Sequence, residues 1–228
     1  MTGWWARPRT VTVVVDTPGW FDPFAAKLAE ALAAAGDRAT LVRDHADVPE
    51  GAVAFYLSCM KITPAAVLGR NRLNVVVHAS DLPHGRGFSP LVWQVLEGRN
   101  RIPLCMIEAA DPVDSGAVLM RDELLFEGHE LNDEMRDRMG HAIVAMCLRM
   151  MAAGEPPTGV PQEGEPSWFR RRRPDDSRLD PERSLAEQFD LLRVVDNDRY
   201  PAFFDHRGHR YVLRIEKAAA SKASEAAA

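Results

Sequence analysis

Short runs of apolar, often β-branched residues alternate along this chain with longer stretches in which apolar positions recur every three or four residues. That pattern predicts β-α units around a buried sheet. Residues 11–16 are such a run, closed by Pro18 and Gly19. A helix follows: Asp22 suits its cap, Pro23 its first position, and Phe24, Leu28, Leu32 and Ala35 share one face, with Gly36 placed for a left-handed C-cap. Residues 39–43 and 53–57 read as the second and third strands, and Thr63 with Pro64 opens another helix as cap and first residue. Residues 73–78 form a fourth strand. Ser89 and Pro90 start a short helix that runs to Leu96, with Leu91, Val95 and Trp93 on its inner side. Residues 102–107 read as a strand in which Pro103 points to an edge position or a strand's first residues. Two short strands, 118–120 and 124–126, precede a helix over 133–152. Its stripe of Met135, Met139, Ile143, Met146 and Met150 reads as adaptable core packing rather than a groove.

Beyond residue 153 the pattern changes. Pro, Gly, Glu and Arg dominate 154–183, which reads as a linker leaving the main domain. Ser184 and Glu187 make a capping box ahead of Leu185, Phe189 and Leu192, so a helix is expected to about residue 195. A hairpin follows, 202–204 and 211–215 about a turn at 206–209, and residues 218–228 form a low-complexity tail, disordered or a fraying helix. The chain thus reads as a main domain over 1–153, a linker over 154–183, a helix and hairpin over 184–217, and the tail. The fold class is α/β, Rossmann-like, with a mostly parallel twisted sheet and a small C-terminal extension.

With 228 residues, 46% of them hydrophobic, the chain can build a large core without disulfides or metal. A net charge of -5 argues against a general nucleic-acid binder, which would carry a basic surplus. No stretch is long and apolar enough to span a bilayer, and no membrane partner is expected; a cytoplasmic protein is. Cys59, Cys105 and Cys147 sit in apolar segments at unrelated spacings and read as small buried hydrophobes.

Chemistry concentrates in residues 74–90, where a run of three valines ends in His78, passes Ser80 and Asp81, and enters a loop punctuated by Pro83, Gly85, Gly87 and Pro90. A strand that ends in an ionisable residue and then turns presents it where open α/β sheets carry their sites. From these residues alone His78 is equally a core histidine or a catalytic one. The turn at 17–20 lacks the glycine spacing of a dinucleotide loop. Trp20 and Phe21 beside it fit a core corner or a ligand wall. Lys61, after the third strand, is either a solvated lysine or a contact for an anionic substrate group, and the run Arg170 to Arg173 is either a solvated charge run or a phosphate contact.

His78, Ser80, Leu82, Pro83, Arg86, Gly87 and Pro90 stand at the spacing His-x-Ser-x-Leu-Pro-x-x-Arg-Gly-x-x-Pro, which resembles the signature of the 10-formyltetrahydrofolate-dependent formyltransferases. Members act on methionyl-tRNA, on glycinamide ribonucleotide or on amino sugars. Asp114 and Gly116 resemble the family's Asp-x-Gly loop, and residues 173–180 and 192–204 resemble the C-terminal segments of sugar N-formyltransferases. The likeness covers about residues 50 to 215. One position departs: the family reads Asn-x-His, and Val76 stands where that asparagine would be. Asn74 shares a strand face with His78, but roughly 13 Å away along a regular strand, so it substitutes only if the strand bulges. Ser80, a backbone amide near Phe88, and a group at the end of the third strand are the other candidates.

The resemblance implies acyl transfer: a base for the amine, stabilisation of the oxyanion and a proton for the leaving nitrogen. It assigns the proton work to His78, oriented by Asp114, with Asn74 as the amide candidate. Histidine suits this task because the residue type titrates near neutrality. The co-substrate, 10-formyltetrahydrofolate, would lie between the 82–90 loop and residues 108–114, touching Leu82, Pro83, Arg86, Gly87, Phe88, Val92, Glu108, Ala110 and Val113. The acceptor would enter past Lys61, Trp20, Gly85 and Ser80. No metal is expected, since His78 and Asp114 have no Cys or His at ligand spacing. The absence of a long C-terminal barrel and of a basic surplus disfavours tRNA, which leaves a small-molecule amine, an amino sugar of surface-glycan biosynthesis, as the expected acceptor and a homodimer through the hairpin as the expected assembly. A formyltetrahydrofolate hydrolase and a folate-binding homologue without activity are the alternatives.

Overall fold

In the computed structural model, which describes residues 3–218, a six-stranded sheet runs in the order β2-β1-β3-β4-β6-β7. Its strands are β1 (Thr10–Val14), β2 (Arg38–Val42), β3 (Gly51–Tyr56), β4 (Asn71–His78), β6 (Arg101–Glu108) and β7 (Val118–Leu125). The first four pair in parallel; β6 and β7 are antiparallel additions beside β4. The sheet is therefore mixed but mostly parallel. β4, with its carboxyl end at His78, has β3 on one side and β6 on the other. The two stretches expected as separate strands at 118–120 and 124–126 are one strand, because the ladder with β6 runs unbroken through the polar pair Arg121 and Asp122. Pro103 lies in an inner strand yet is tolerated, since the β4 pairing stops at Cys105 and leaves that flank of Pro103 without a ladder.

Two long helices cover one face. α1 (Asp22–Ala34) and α4 (Asn132–Ala152) pack on it with Val11, Val13, Val53, Phe55, Leu73, Val75, Leu104 and Met106 beneath them. The period-two alternation of the strands sends Val14, Ala54 and Tyr56 to the opposite face, where they meet Val48 and Val67. Most of the methionine stripe is core, with Met135, Met146 and Met150 buried and Met139 partly so. Gly140 lets the helices approach: a Cβ there would lie 2.6 Å from the Phe24 ring. Asp22 is a helical residue rather than the cap. Its carboxylate accepts the Gly19 amide at 2.9 Å and pairs with Arg43, and Phe21 occupies the cap position. Gly36 takes the left-handed turn expected of it, with φ 94°. Thr63 does not cap α2 (Ala65–Leu68); Pro64 precedes that single turn. α3 (Pro90–Leu96) starts at the expected residue, but Ser89 is left-handed, with φ 50°, and its side chain caps nothing.

The 154–183 stretch runs back across the main domain. Val160 bridges Val118, and β8 (Trp168–Phe169) pairs in parallel with β5 (Arg86–Gly87), so this stretch straps the motif loop. Nothing in its composition announces this, because the contacts are made by backbone. The capping box at Ser184 and Glu187 forms, yet it closes only a turn; α5 spans Phe189–Arg193 and Leu185 is exposed. β9 (Ala202–His206) and β10 (His209–Leu213) make the hairpin, and Arg207 and Gly208 both take positive φ in its two-residue turn. Leu179, Leu192, Val195 and Ala202 form its own small core. The tail expected at 218–228 lies, apart from Ala218, outside the described residues. Among those described, no helix is long and apolar enough to cross a membrane.

Candidate active site

His78 ends β4 beneath the strapped loop and is 7% exposed. Its Nε2 sits 2.8 Å from the Gly85 carbonyl, and its Nδ1 faces the Asp114 carboxylate at 3.6 Å. Asp114 reaches this position from the turn between β6 and β7 by taking φ 58°, a left-handed backbone that aspartate tolerates. Its other oxygen accepts the Gly87 amide at 2.9 Å, which ties the Asp-x-Gly turn to the motif loop. Gln162, from the strap, donates to the Asp114 and Gly116 carbonyls and accepts from Arg86. The pair predicted from two distant motifs is therefore assembled. Both ring nitrogens face acceptors, so any proton exchange at Nε2 must first release Gly85, whereas Nδ1 works against Asp114 directly.

Asn74 is not part of the pair. Its amide donates to the Leu68 carbonyl at 2.8 Å and its oxygen accepts from the Tyr56 hydroxyl at 3.3 Å, on the far side of Val76 along a strand that does not bulge there. Val76 itself packs with Val14, Ala54 and Tyr56 on one side and with Leu82, Cys105 and Ile107 on the other. The asparagine's place is thus filled by apolar packing.

The loop residues are held more tightly than an open ligand edge would require. Gly85 donates its amide to Ser167 Oγ, and a Cβ on it would meet the Phe169 ring at 2.5 Å, so the strap covers it. Gly87 has φ 98°, and a Cβ there would lie 2.4 Å from the Phe169 carbonyl oxygen. Gly87→Ala is accordingly expected to cost about 1–3 kcal/mol, read as a lower midpoint in urea unfolding at unchanged slope. Leu82 and Pro83 are buried, and the Leu82 carbonyl accepts from Arg121. Phe88 is exposed, with Arg171 over its ring at 5.7 Å, while Val92 packs partly against the main core. Glu108, Ala110 and Val113 are exposed. Trp20 is partly buried, lying edge-on to Phe21 and against the core. Lys61 is exposed beside a cavity of about 290 Å³ that Ile62 and Arg70 also line.

The arginine run divides by role. Arg170 pairs with Asp176 and stacks over Trp93 at 4.6 Å, and it pulls the Asp176 carboxyl down to about 2. Arg172 is buried and donates to Ser177 Oγ at 3.0 Å, so it is a structural post rather than a solvated charge. Two polar atoms of the motif loop, Ser80 Oγ and Arg86 Nε, are buried without a partner. Such atoms are what a bound polar molecule or water would satisfy, and they fit a co-substrate seated at this loop.

One cluster escaped the sequence reading. Asp16, His45 and Cys59 bring their ligand-type atoms together within 4.8 Å at the carboxyl ends of β1, β2 and β3. Cys59 is only partly buried, unlike Cys105 and Cys147.

No family model matches the chain. Among curated proteins it is 28% identical over 127 residues to the methionyl-tRNA formyltransferase of Gluconobacter oxydans, covering 55% of this chain and 41% of that one. It is 28% identical over 182 residues to that of Paramagnetospirillum magneticum, covering 78% and 59%. The chain thus spans less than two thirds of either relative. Among solved structures, the methionyl-tRNA formyltransferase from Clostridium thermocellum superposes with a TM-score of 0.71 at 21% identity, over 88% of this chain and 89% of that one. HypX from Aquifex aeolicus in complex with tetrahydrofolic acid gives 0.73 at 13%, over 90% and 37%. A sugar N-formyltransferase from Shewanella gives 0.61 at 15%, over 93% and 99%. The fold is that of the formyltransferase α/β domain. The sequence likeness points the same way, to methionyl-tRNA formyltransferases.

Proposed function

We propose that the protein is an N-formyltransferase that moves a formyl group from 10-formyltetrahydrofolate to the amine of a sugar, nucleotide-linked or a nonulosonic-acid precursor. The observation that carries this reading is the buried pairing of His78 with Asp114 under the strapped motif loop. When bound, 10-formyltetrahydrofolate supplies the carbon to be transferred; Leu82, Pro83, Arg86, Gly87 and Phe88 would hold it, with Glu108, Ala110 and Val113 opposite. His78 takes the proton of the attacking amine at Nδ1, and the Asp114 carboxylate orients the ring and balances its charge. The loop and strap keep water from the ring, which favours transfer over hydrolysis. Val76 removes the side-chain amide that would steady developing charge on the formyl oxygen. The amides of His84, Gly85, Arg86, Gly87 and Phe88 are already donated within the loop and strap, so Ser80 Oγ, buried without a partner, is the candidate for that task.

An amino-sugar acceptor is supported by the likeness to the Shewanella enzyme along nearly its whole length and by the absence of a basic surplus. Incubation with 10-formyltetrahydrofolate and a panel of amino sugars, followed by mass spectrometry, tests the reading. A sugar heavier by one formyl group is the expected product, and formate without acceptor dependence would indicate the hydrolase instead. A folate-binding homologue without activity is favoured by one observation, the apolar filling at Val76; it forecasts folate binding with no turnover. Tyr211 and Val212 expose apolar surface on the hairpin, which suits a homodimer through that face. Gel filtration at micromolar concentration is expected to give twice the chain mass, and a monomer would remove the dimer.

A further inference from the structure

The carboxyl edge of the sheet carries a second chemical group, set apart from His78. Asp16 follows β1, His45 lies in the turn after β2, and Cys59 follows β3; the strand order β2-β1-β3 makes these three loops neighbours. The Asp16 and His45 side chains are 0% and 7% exposed, with Oδ2 and Nε2 at 3.2 Å. Asp16 is held as an anion: burial pushes its carboxyl up, but the amides of Met60 and Lys61, the Thr17 hydroxyl and His45 outweigh that and hold it below the usual range. The remaining ring nitrogen of His45, Nδ1, is buried without a partner. Cys59 directs its sulfur at the Val14 carbonyl, 3.4 Å away, a weak contact for a polar atom in this setting. A carboxylate, an imidazole and a thiol drawn from three loops are a costly way to fill a buried corner that apolar side chains would fill.

The spacing suits a small divalent cation. Oxygen and nitrogen ligands bound at about 2.0–2.1 Å in a tetrahedral shell lie about 3.3 Å apart, and a thiolate at about 2.3 Å lies about 3.6 Å from either. The Asp16 to His45 distance of 3.2 Å is close to this value, and the three ligand-type atoms lie within 4.8 Å of one another, so small side-chain shifts close the set. We propose that Asp16, His45 and Cys59 form a zinc site with three protein ligands. A solvent molecule would complete the shell; the cavity of about 290 Å³ nearby is lined by His45, Lys61, Ile62 and Arg70 but not by Asp16 or Cys59. Asp16 and Cys59 follow strands two places and one place from β4, roughly 5–10 Å along the edge, so the site is separate from the His78 and Asp114 pair and does not rest on the formyl-transfer reading.

Binding has a proton balance. A free thiol carries its proton near neutral pH. Formation of the zinc–sulfur bond therefore breaks the S–H bond and delivers one proton to solvent. His45 Nε2, which donates its proton to Asp16 in the cation-free protein, gives up that proton to bind through its lone pair while Nδ1 takes one on, so the ring adds no net proton, and the Asp16 carboxylate binds as it stands.

The test takes the full chain, stripped with chelator, and titrates it with Zn²⁺ and separately with Co²⁺. The expected results are one zinc bound per chain, one proton released per zinc near neutral pH, and a thiolate-to-cobalt charge-transfer band. Cys59→Ser should remove that band and weaken zinc binding by more than about tenfold, while His45→Gln should weaken binding and keep the band. The wild-type cobalt spectrum needs no variant: the absence of a charge-transfer band at one equivalent of Co²⁺ overturns the proposal. So does zinc binding that Cys59→Ser leaves unchanged.

Discussion

Formyl transfer is expected to fall about 10²–10⁴-fold in His78→Ala, with folate affinity changed far less. The side chain is 7% exposed and, among the described residues, its polar contacts are Gly85 and Asp114, so its removal takes away the proton carrier while the sheet's own ladder stays in place. Comparing kcat with KM separates the two roles the ring could have. A residue that moves a proton lowers kcat, whereas one that merely fills space under the loop raises KM and lowers the unfolding midpoint instead. The measurement is a steady-state rate assay on both proteins with the same acceptor, together with a folate-binding titration.

The largest effect on stability is expected at Asp37. Arg9 grips it with a hydrogen bond from Nε at 2.9 Å and one from Nη2 at 2.8 Å, and the two side chains are 2% and 0% exposed. Nη2 also donates to the Met151 carbonyl, so the pair fastens the start of β1 to the end of α4. Asp37→Ala leaves the guanidinium buried and unpaired and is expected to cost about 3–5 kcal/mol. The pH dependence follows from the direction of the shift. Burial pushes the Asp37 carboxyl up, but the Arg9 hydrogen bonds and the Arg9 and Arg7 charges outweigh it, and the net shift is down. A lowered folded value means that the pair's stabilisation is fully present above the unfolded value of about 3.9. It is lost as pH falls from there through the folded value. Urea unfolding of wild type and Asp37→Asn across that range checks this: the variant should lose less stability on acidification.

Elements whose signal is local were legible in the chain. The β-branched residues 11–15 fix β1, Pro90 at the first helical position fixes α3, and the methionine spacing fixes α4. His78 and Asp114 were legible because each sits in a motif with its own glycines, and the fold brings the two together. The strap was not. β8 is two residues long, and its pairing with β5 uses backbone groups and Gly85 and Gly87 contacts that no hydrophobic period records. The Asp16, His45 and Cys59 group was hidden for a different reason. Its members stand 29 and 14 residues apart, and only the parallel order β2-β1-β3 makes them neighbours. Asn74 was a candidate only on condition of a bulge, and β4 keeps a regular ladder beside it.

The central claim is acyl transfer run by His78, and a single-turnover experiment with 10-formyltetrahydrofolate in excess of neither enzyme nor acceptor tests it most directly. Tetrahydrofolate release and formylation of the acceptor are followed in the same sample, in wild type and in His78→Gln. The account predicts one formylated acceptor for each tetrahydrofolate in wild type and a rate about 10²–10⁴ lower in the variant. Equal rates in the two proteins, or folate consumed with free formate and no formylated acceptor, would contradict it.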